Sequence, residues 1–412
     1  MSRHDGLLQW TATVSTDLPH LSKPQATVLA LWSFGMACTH TCGRATVAAF
    51  LALLLGRKAA TVEHQLREWC YEAPAKRGSK RQELDVTTCF VPLLRWIVRL
   101  WSGTALALAL DATNLGDRFT ILTISVVYRG FGIPVAWTIL PANQQHAWKG
   151  EWLRMVRLLR PAIPRDWTVL VLADRGLYAP WLFRRIVRLG WHPFLRINQG
   201  STFRPVGQAK WYWLRDLVRA EGQRWRGAGT AFKSTDRQLA CTLVAWWEAG
   251  HKEPWFILTD LDPDGCDAAW YGLRTWCEQG FKWNKRGGWQ WQQTKMTDPA
   301  RAARLWLALA VATLWLGSVG SGIEDGLVAP GGADVSLPDL SGVLGSGGHR
   351  RRRRRVARLG GLWLLVCLIT SQPLPVPQHL VPDPWPEIPQ RLERPLLQHD
   401  DLASLPLEKT AP

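Results

Sequence analysis

Two largely apolar runs of this 412-residue chain each end in an aspartate. The first, Ala105 to Leu110, precedes Asp111, and the second, Thr168 to Ala173, precedes Asp174. A continuous apolar run of this length predicts a strand buried on both faces, as in the centre of a parallel sheet. Reactive groups of α/β sheets collect where the carboxyl ends of the strands meet. The sequence therefore predicts that Asp111 and Asp174 lie side by side.

Adjacent carboxylates constrain what else the site contains. Two of them repel each other and are stable as charges only if a cation joins them. Oxygen ligands without a paired cysteine or histidine favour a hard ion, Mg²⁺ or Mn²⁺. The alternative is that each aspartate only caps the turn after its strand, which is common. Evidence from other parts of the chain must distinguish a metal site from two independent turn caps.

A third segment supplies further charged residues. Asp267 is predicted to cap a helix that runs to about Lys285. In that helix Tyr271, Arg274, Glu278 and Lys285 follow each other at i, i+3, i+7 and i+14, so they share one face. A metal would pair with the glutamate, and phosphates would pair with the two cations. The alternative is an exposed face with ordinary charge pairs.

The spacing of these four residues matches a known signature. The pattern Tyr271-x-x-Arg274-x-x-x-Glu278-x-x-x-x-x-x-Lys285 resembles the tyrosine, arginine, glutamate and lysine signature of DDE transposases of the insertion-sequence-four group. It does so in residue identity and in all three spacings.

Two shorter motifs agree with this resemblance. Leu-Asp111-Ala-Thr-Asn stands in the place of the first catalytic aspartate, and Asp174-Arg175-Gly176 in that of the second. The resemblance covers about residues 100 to 317. The six arginines from Arg350 to Arg355 and the glycine-rich linker before them do not belong to it.

The resemblance implies an enzyme that cuts DNA at transposon ends and joins them to target DNA, through a hairpin intermediate. It assigns catalysis and the binding of two Mg²⁺ or Mn²⁺ ions to Asp111, Asp174 and Glu278. It assigns DNA contacts to Tyr271, Arg274, Lys285 and Arg175. The implied partners are the terminal inverted repeats, target DNA and a second copy of the chain in a synaptic homodimer. The implied location is the bacterial cytoplasm, at the nucleoid.

The family also holds a flipped base with a tryptophan of its insertion domain, since extruded bases stack on aromatic rings. The candidates in this chain are Trp211, Trp213, Trp225, Trp246, Trp247 and Trp255.

The expected fold class is α/β: a ribonuclease-H-like core with a β-rich insertion subdomain, preceded by a helical N-terminal DNA-binding domain. The expected boundaries are 1–100 for the helical domain, 101–199 and 258–318 for the two parts of the core, 200–257 for the insertion, and 319–412 for a linker, an arginine-rich helix and a Pro-rich tail. The last thirty or so residues are expected to be unpacked.

The pattern of apolar residues also predicts individual elements. Helices are expected at Thr46 to Leu55, Thr61 to Trp69, Val91 to Trp101, Pro180 to Leu189 and Pro299 to Leu316. Strands are expected at Thr104 to Leu110, Phe119 to Tyr128, Ile133 to Leu140, Thr168 to Ala173, His192 to Ile197 and Gln238 to Trp246. The first three strands should form an antiparallel meander with turns at Gly116-Asp117 and Gly130-Phe-Gly132.

The formal charge of +17 implies a polyanionic partner. Nucleic acid is the first candidate and an anionic membrane the second. The apolar runs Leu305 to Gly317 and Leu359 to Thr370 are shorter than the ~20 residues that span a bilayer, so both are predicted to be buried helices. No membrane association is expected.

Eight scattered cysteines do not form a disulfide framework for a chain of this size, which favours a reducing compartment. Cys38-Thr-His40-Thr-Cys42 offers metal ligands, but it lacks the second half that structural zinc sites normally need.

Three other functions stay open at this point. A ribonuclease-H-like nuclease without strand joining would keep the three carboxylates. A regulator derived from an inactive transposase would keep only DNA binding. A basic protein anchored to a membrane by Arg350 to Thr370 would need neither the three carboxylates nor DNA binding.

Overall fold

The computed structural model describes residues 5–78, 81–142, 148–275, 288–326 and 355–388. Its α-helices are α1 (Asp5–Asp17), α2 (Lys23–Thr39), α3 (Arg44–Leu55), α4 (Ala59–Trp69), α5 (Thr87–Leu100), α6 (Trp148–Leu159), α7 (Pro180–Arg188), α8 (Leu214–Leu217), α9 (Pro299–Glu324) and α10 (Arg355–Ile369). Its strands are β1 (Ala105–Leu115), β2 (Phe119–Tyr128), β3 (Phe131–Pro141), β4 (Thr168–Ala173), β5 (His192–Arg196), β6 (Thr202–Pro205), β7 (Tyr212–Trp213), β8 (Arg224–Ala231), β9 (Leu239–Trp246) and β10 (Trp255–Thr259). The protein is thus a mixed α/β protein with a large sheet.

The chain divides into two compact units. The first comprises Met1–Thr104, Ala112–Pro164 and Trp276–Asp383, and the second comprises Ala105–Asp111, Arg165–Thr275 and Pro384–Pro412. The N-terminal helices therefore belong to the same unit as α9 and α10. Strand β1 contributes its first residues to the second unit and residues 112–115 to the first.

In the first unit, helices α2, α5 and α10 pack against α9. Helix α9 also contacts strand β3, and it is buried from Arg304 to Ile323. The ring of Trp315 stacks on that of Trp10 at a centroid distance of 3.9 Å. Among the described helices, α9 is long and apolar enough to cross a membrane, but its whole apolar window is buried inside the protein. It forms the core of this unit.

Helix α9 is longer than the sequence pattern predicts. It continues through Gly317 to Glu324, so the first residues of the expected linker are helical. The glycines allow α9 and α10 to approach at backbone distance. A Cβ atom on Gly320 would lie 1.8 Å from the carbonyl oxygen of Val356, and one on Gly360 would lie 2.2 Å from that of Leu316. Here glycine is a packing residue rather than a helix terminator.

The Pro-rich segment that follows α10 is packed; it precedes the last thirty or so residues, which are the ones predicted to be unpacked. Leu374 and Leu380 are buried. The amide of Ser102 donates a hydrogen bond of 2.9 Å to the carbonyl of Leu380, and the Nε of Arg129 donates one of 2.7 Å to Val381. These backbone contacts attach the tail to the first unit; residues 389–412 lie outside the described residues.

Strands β2 and β3 pair antiparallel from Phe119 opposite Pro141 to Tyr128 opposite Phe131. The turn between them lies at Arg129 and Gly130, which have φ angles of 38° and 86°, one residue earlier than predicted. In the first unit the strand order is β3, β2, β1.

In the second unit, the strand order is β1, β4, β5, β10, β9, β8, β6, β7. Strands β1, β4 and β5 are parallel, with the predicted helix α7 between β4 and β5. Strand β10 pairs antiparallel with β5, and β9, β8 and β6 follow antiparallel. The segment predicted as an insertion is β-rich as expected, but its strands extend the sheet that contains β4 and β5 rather than forming a separate one.

The glycine contact of α9 and α10 can be tested by substitution. We expect Gly320→Ala to lower the free energy of unfolding by about 1–3 kcal/mol, because the new methyl group meets backbone that must shift. Gly150→Ala is the control, since a Cβ there has no neighbour within 4 Å. It should be neutral or stabilise α6 by about 0.5–1 kcal/mol. Urea unfolding followed by tryptophan fluorescence measures both, and equal stability of the two variants would contradict the proposed packing.

Candidate active site

The parallel register of β1 and β4 places two aspartates at the same level. Leu110 lies opposite Ala173 at the end of the paired stretch, so Asp111 and Asp174 follow at equivalent positions. Asp174 directly follows β4, as predicted. Asp111, however, lies within β1, which continues to Leu115 instead of ending at the aspartate.

Arg274 joins the two carboxylates. Its Nη2 donates hydrogen bonds to Oδ1 of Asp111 at 3.0 Å and to Oδ2 of Asp174 at 3.1 Å. The side chains of Arg274 and Asp111 are 7% and 12% exposed, whereas that of Asp174 is 37% exposed. The two carboxylates therefore share one buried cation, and solvent reaches the group from the side of Asp174.

A short capped helix positions Arg274. Asp267 caps it as predicted, because its carboxylate accepts a hydrogen bond of 2.8 Å from the amide of Ala269. The same carboxylate binds Nη1 of Arg224 through both oxygens at 2.7 Å. Residues Ala268–Arg274 form a 3₁₀-helix rather than the predicted α-helix. With three residues per turn, Tyr271 and Arg274 still share one face.

Tyr271 is 3% exposed and packs against the edge of Trp255, with ring centroids 5.4 Å apart. The guanidinium of Arg196 lies 6.0 Å from the centre of the Tyr271 ring. Burial raises the pKa of Tyr271 to about 12, although Arg274 and Arg196 act in the opposite direction. The phenol is therefore neutral at physiological pH, and its ring acts in packing.

Arg175, predicted to contact DNA, is paired with a carboxylate. Its Nη1 lies 2.9 Å from Oε1 of Glu253, and Nη2 of Arg196 lies 2.8 Å from the same oxygen. The side chain of Arg175 is 53% exposed. No motif or spacing in the sequence relates Glu253 or Arg196 to Arg175, so this cluster could not be predicted from the sequence.

Two predicted site residues, Glu278 and Lys285, lie outside the described residues, as does Cys277. Among the tryptophan candidates for base stacking, Trp225 and Trp255 are buried and act in packing. The others are partly exposed, and three of them lie under arginines: Arg204 is 5.0 Å from Trp211, Arg215 is 5.2 Å from Trp213, and Arg224 is 4.1 Å from Trp246.

The described cysteines include both cysteines of the Cys38-Thr-His40-Thr-Cys42 segment. Seven cysteines in the described part of the chain are free thiols, and burial raises the pKa of Cys38 and Cys42 to about 12. Within the same residues, no three histidine, cysteine, aspartate or glutamate side chains are placed to hold a metal ion. The acidic residues that the structure does bring together are Asp111 and Asp174, which both bind Arg274.

The part of the chain that contains most of these residues is similar to a known family. Residues 116–315 match the family model described as "Transposase DDE domain". Over these residues the chain is therefore similar to transposase DDE domains. The matched range includes Asp174, Tyr271 and Arg274, and Asp111 stands just before it.

No curated protein matches the chain. Among solved structures, the chain resembles that described as the cryo-EM structure of piggyBac transposase synaptic complex with hairpin DNA, at 9% sequence identity and a TM-score of 0.34. This likeness covers 86% of this chain and 82% of that one.

The helix that carries Tyr271 and Arg274 should depend on Asp267. We expect Asp267→Ala to lower the free energy of unfolding by about 2–4 kcal/mol, because it removes the cap and leaves Arg224 without its carboxylate. Asp267→Asn keeps an acceptor for Ala269 and should lose less. Chemical denaturation of both variants measures which of them loses more free energy of unfolding.

Asp264→Ala is the matched control. Asp264 also pairs with an arginine, Arg226, but its side chain is 85% exposed, so its loss should change stability by no more than about 0.5 kcal/mol. If Asp267→Ala were as mild as this control, the cap and ion pair would not hold the segment.

Proposed function

We propose that this protein is a transposase of the insertion-sequence-four group that cleaves DNA at transposon ends and transfers the ends into target DNA. The match of residues 116–315 to the model of the transposase DDE domain supports the assignment to the transposases. The observation that carries the proposal is the placement of Asp111 and Asp174 around one buried cation. Two aspartates that only capped turns would not need to bind the same arginine side chain.

The parallel strands β1, β4 and β5, with carboxylates at one level of the sheet, support a ribonuclease-H-like core. The charge of +17 supports DNA as the partner, namely the terminal inverted repeats and the target. We further propose that the N-terminal helices recognise DNA and that the synaptic complex contains two copies of the chain.

The donor chemistry fits a hard divalent cation. Carboxylate oxygens are the ligands that Mg²⁺ and Mn²⁺ prefer, and the space between Asp111 and Asp174 already accommodates a positive group. Asp111, Asp174 and Glu278 would hold two such ions. Bound ions would stabilise the negative charge that develops on the attacking and leaving oxygens of the phosphodiester.

The remaining residues act on the DNA itself. Arg274 and Lys285 bind phosphates next to the cut, Tyr271 positions the opposite strand, and Arg175 adds an exposed positive charge beside Asp174. After the first cut, the freed 3′-hydroxyl attacks the opposite strand and forms a hairpin on the transposon end. The hairpin is reopened before the end joins target DNA.

The carboxylates can be tested by substitutions that remove charge but little volume. We expect Asp111→Asn, Asp174→Asn and Glu278→Gln each to abolish cleavage of end-labelled transposon DNA in Mg²⁺, while DNA affinity stays nearly intact. Asp264→Asn, an exposed aspartate outside the site, is the control and should cleave normally. Normal cleavage by any one of the three site variants would remove that residue from the site.

The steps after the first nick distinguish a transposase from a plain nuclease. Arg274→Ala and Lys285→Ala should largely spare first-strand nicking but impair hairpin formation, each losing about 1–3 kcal/mol of charge-assisted phosphate contact. Tyr271→Phe should be milder than Tyr271→Ala, because the ring packs on Trp255. A time course that resolves nicked, hairpin and double-cut DNA measures this. Equal slowing of every step would favour a nuclease.

A further inference from the structure

The cation between the two aspartates is a side chain of the protein itself. Asp111 and Asp174 direct one oxygen each to the same nitrogen of Arg274. We propose that Arg274 occupies the position of a bridging divalent metal ion and must leave it before the metal binds, so that metal and DNA enter the site together. This inference rests on the proposed function and adds a regulatory step to it.

Arg274 and a bridging metal exclude each other for an electrostatic reason. A divalent cation held by the same two oxygens would lie within a few ångströms of the guanidinium. Arg274 is only 7% exposed, so water would screen little of the repulsion between them. Either cation satisfies the two carboxylates, but both cannot do so at once.

A displaced Arg274 needs another anion, because an unpaired buried guanidinium is costly. A DNA phosphate, which the proposed function places at Arg274, is such an anion and competes with the two aspartates for the guanidinium. DNA binding would then draw Arg274 away from the aspartates and free them for the metal, which couples the two ligands.

Coupling of this kind is reciprocal, so it can be measured as metal affinity without any cleavage. We propose to titrate the full-length protein with Mn²⁺ alone by isothermal titration calorimetry, with and without duplex DNA of the transposon end. Arg274→Met, which keeps the length of the side chain but not the charge, should bind Mn²⁺ about tenfold more tightly than the wild type in the absence of DNA. DNA should tighten Mn²⁺ binding more in the wild type than in this variant.

Two additional variants make the result specific. Arg274→Gln is polar and too short to span both carboxylates, and it should change Mn²⁺ affinity in the same direction if Arg274→Met does not fold. Arg196→Met removes a nearby charge that does not touch either aspartate, so it should change the affinity much less. Circular dichroism checks the fold of each variant.

The outcomes separate this inference from the proposed function. If folded Arg274→Met or Arg274→Gln binds Mn²⁺ no more tightly than the wild type, or if Arg196→Met gives the same gain, the displacement of Arg274 is overturned. If Asp111→Asn and Asp174→Asn leave Mn²⁺ binding unchanged, the metal site itself is wrong, and the proposed function falls with it.

Discussion

The pairing of β1 with β4 is the constraint on which the site depends. Because the two strands run parallel with Leu110 opposite Ala173, the residues that follow them are two adjacent carboxylates. Adjacent carboxylates repel each other, so as charges they require a positive partner. Arg274 provides it, and it comes from a segment that Asp267 caps and that Arg224 of β8 holds through an ion pair. The geometry of the aspartates thus depends on strands far from them in the chain.

The first unit depends on a different interaction, the burial of α9. Its one buried cation near the N-terminal end, Arg304, is 4% exposed and is satisfied by Glu72, by Glu83 and by the backbone carbonyls of Cys70 and Leu84. This ion pairing attaches α9 to the segment after α4. At the other end, Gly320 and Gly360 let α10 approach. An apolar helix of this length is accommodated because every side of it is covered.

Local periodicity predicted most elements correctly and erred where a long-range contact decided the outcome. Strand β2 and the helix after β4 agree with the apolar pattern, since period and turn residues determine such elements locally. The end of α9 was misplaced because Gly317 is a packing residue, a role that only the facing Phe131 reveals. The pairing of Leu380 with Trp101 is another contact that local periodicity does not predict.

The sequence by itself determined that two apolar strands end near aspartates and that Tyr271 and Arg274 share a face, because both follow from residue order and helical or strand spacing. Only the tertiary structure decided that Arg274 binds Asp111 and Asp174, which are 163 and 100 residues away along the chain. It also decided that Arg175 and Arg196 share Glu253. The physical reason is that ion pairs between distant segments depend on strand register and burial, and no local period encodes either.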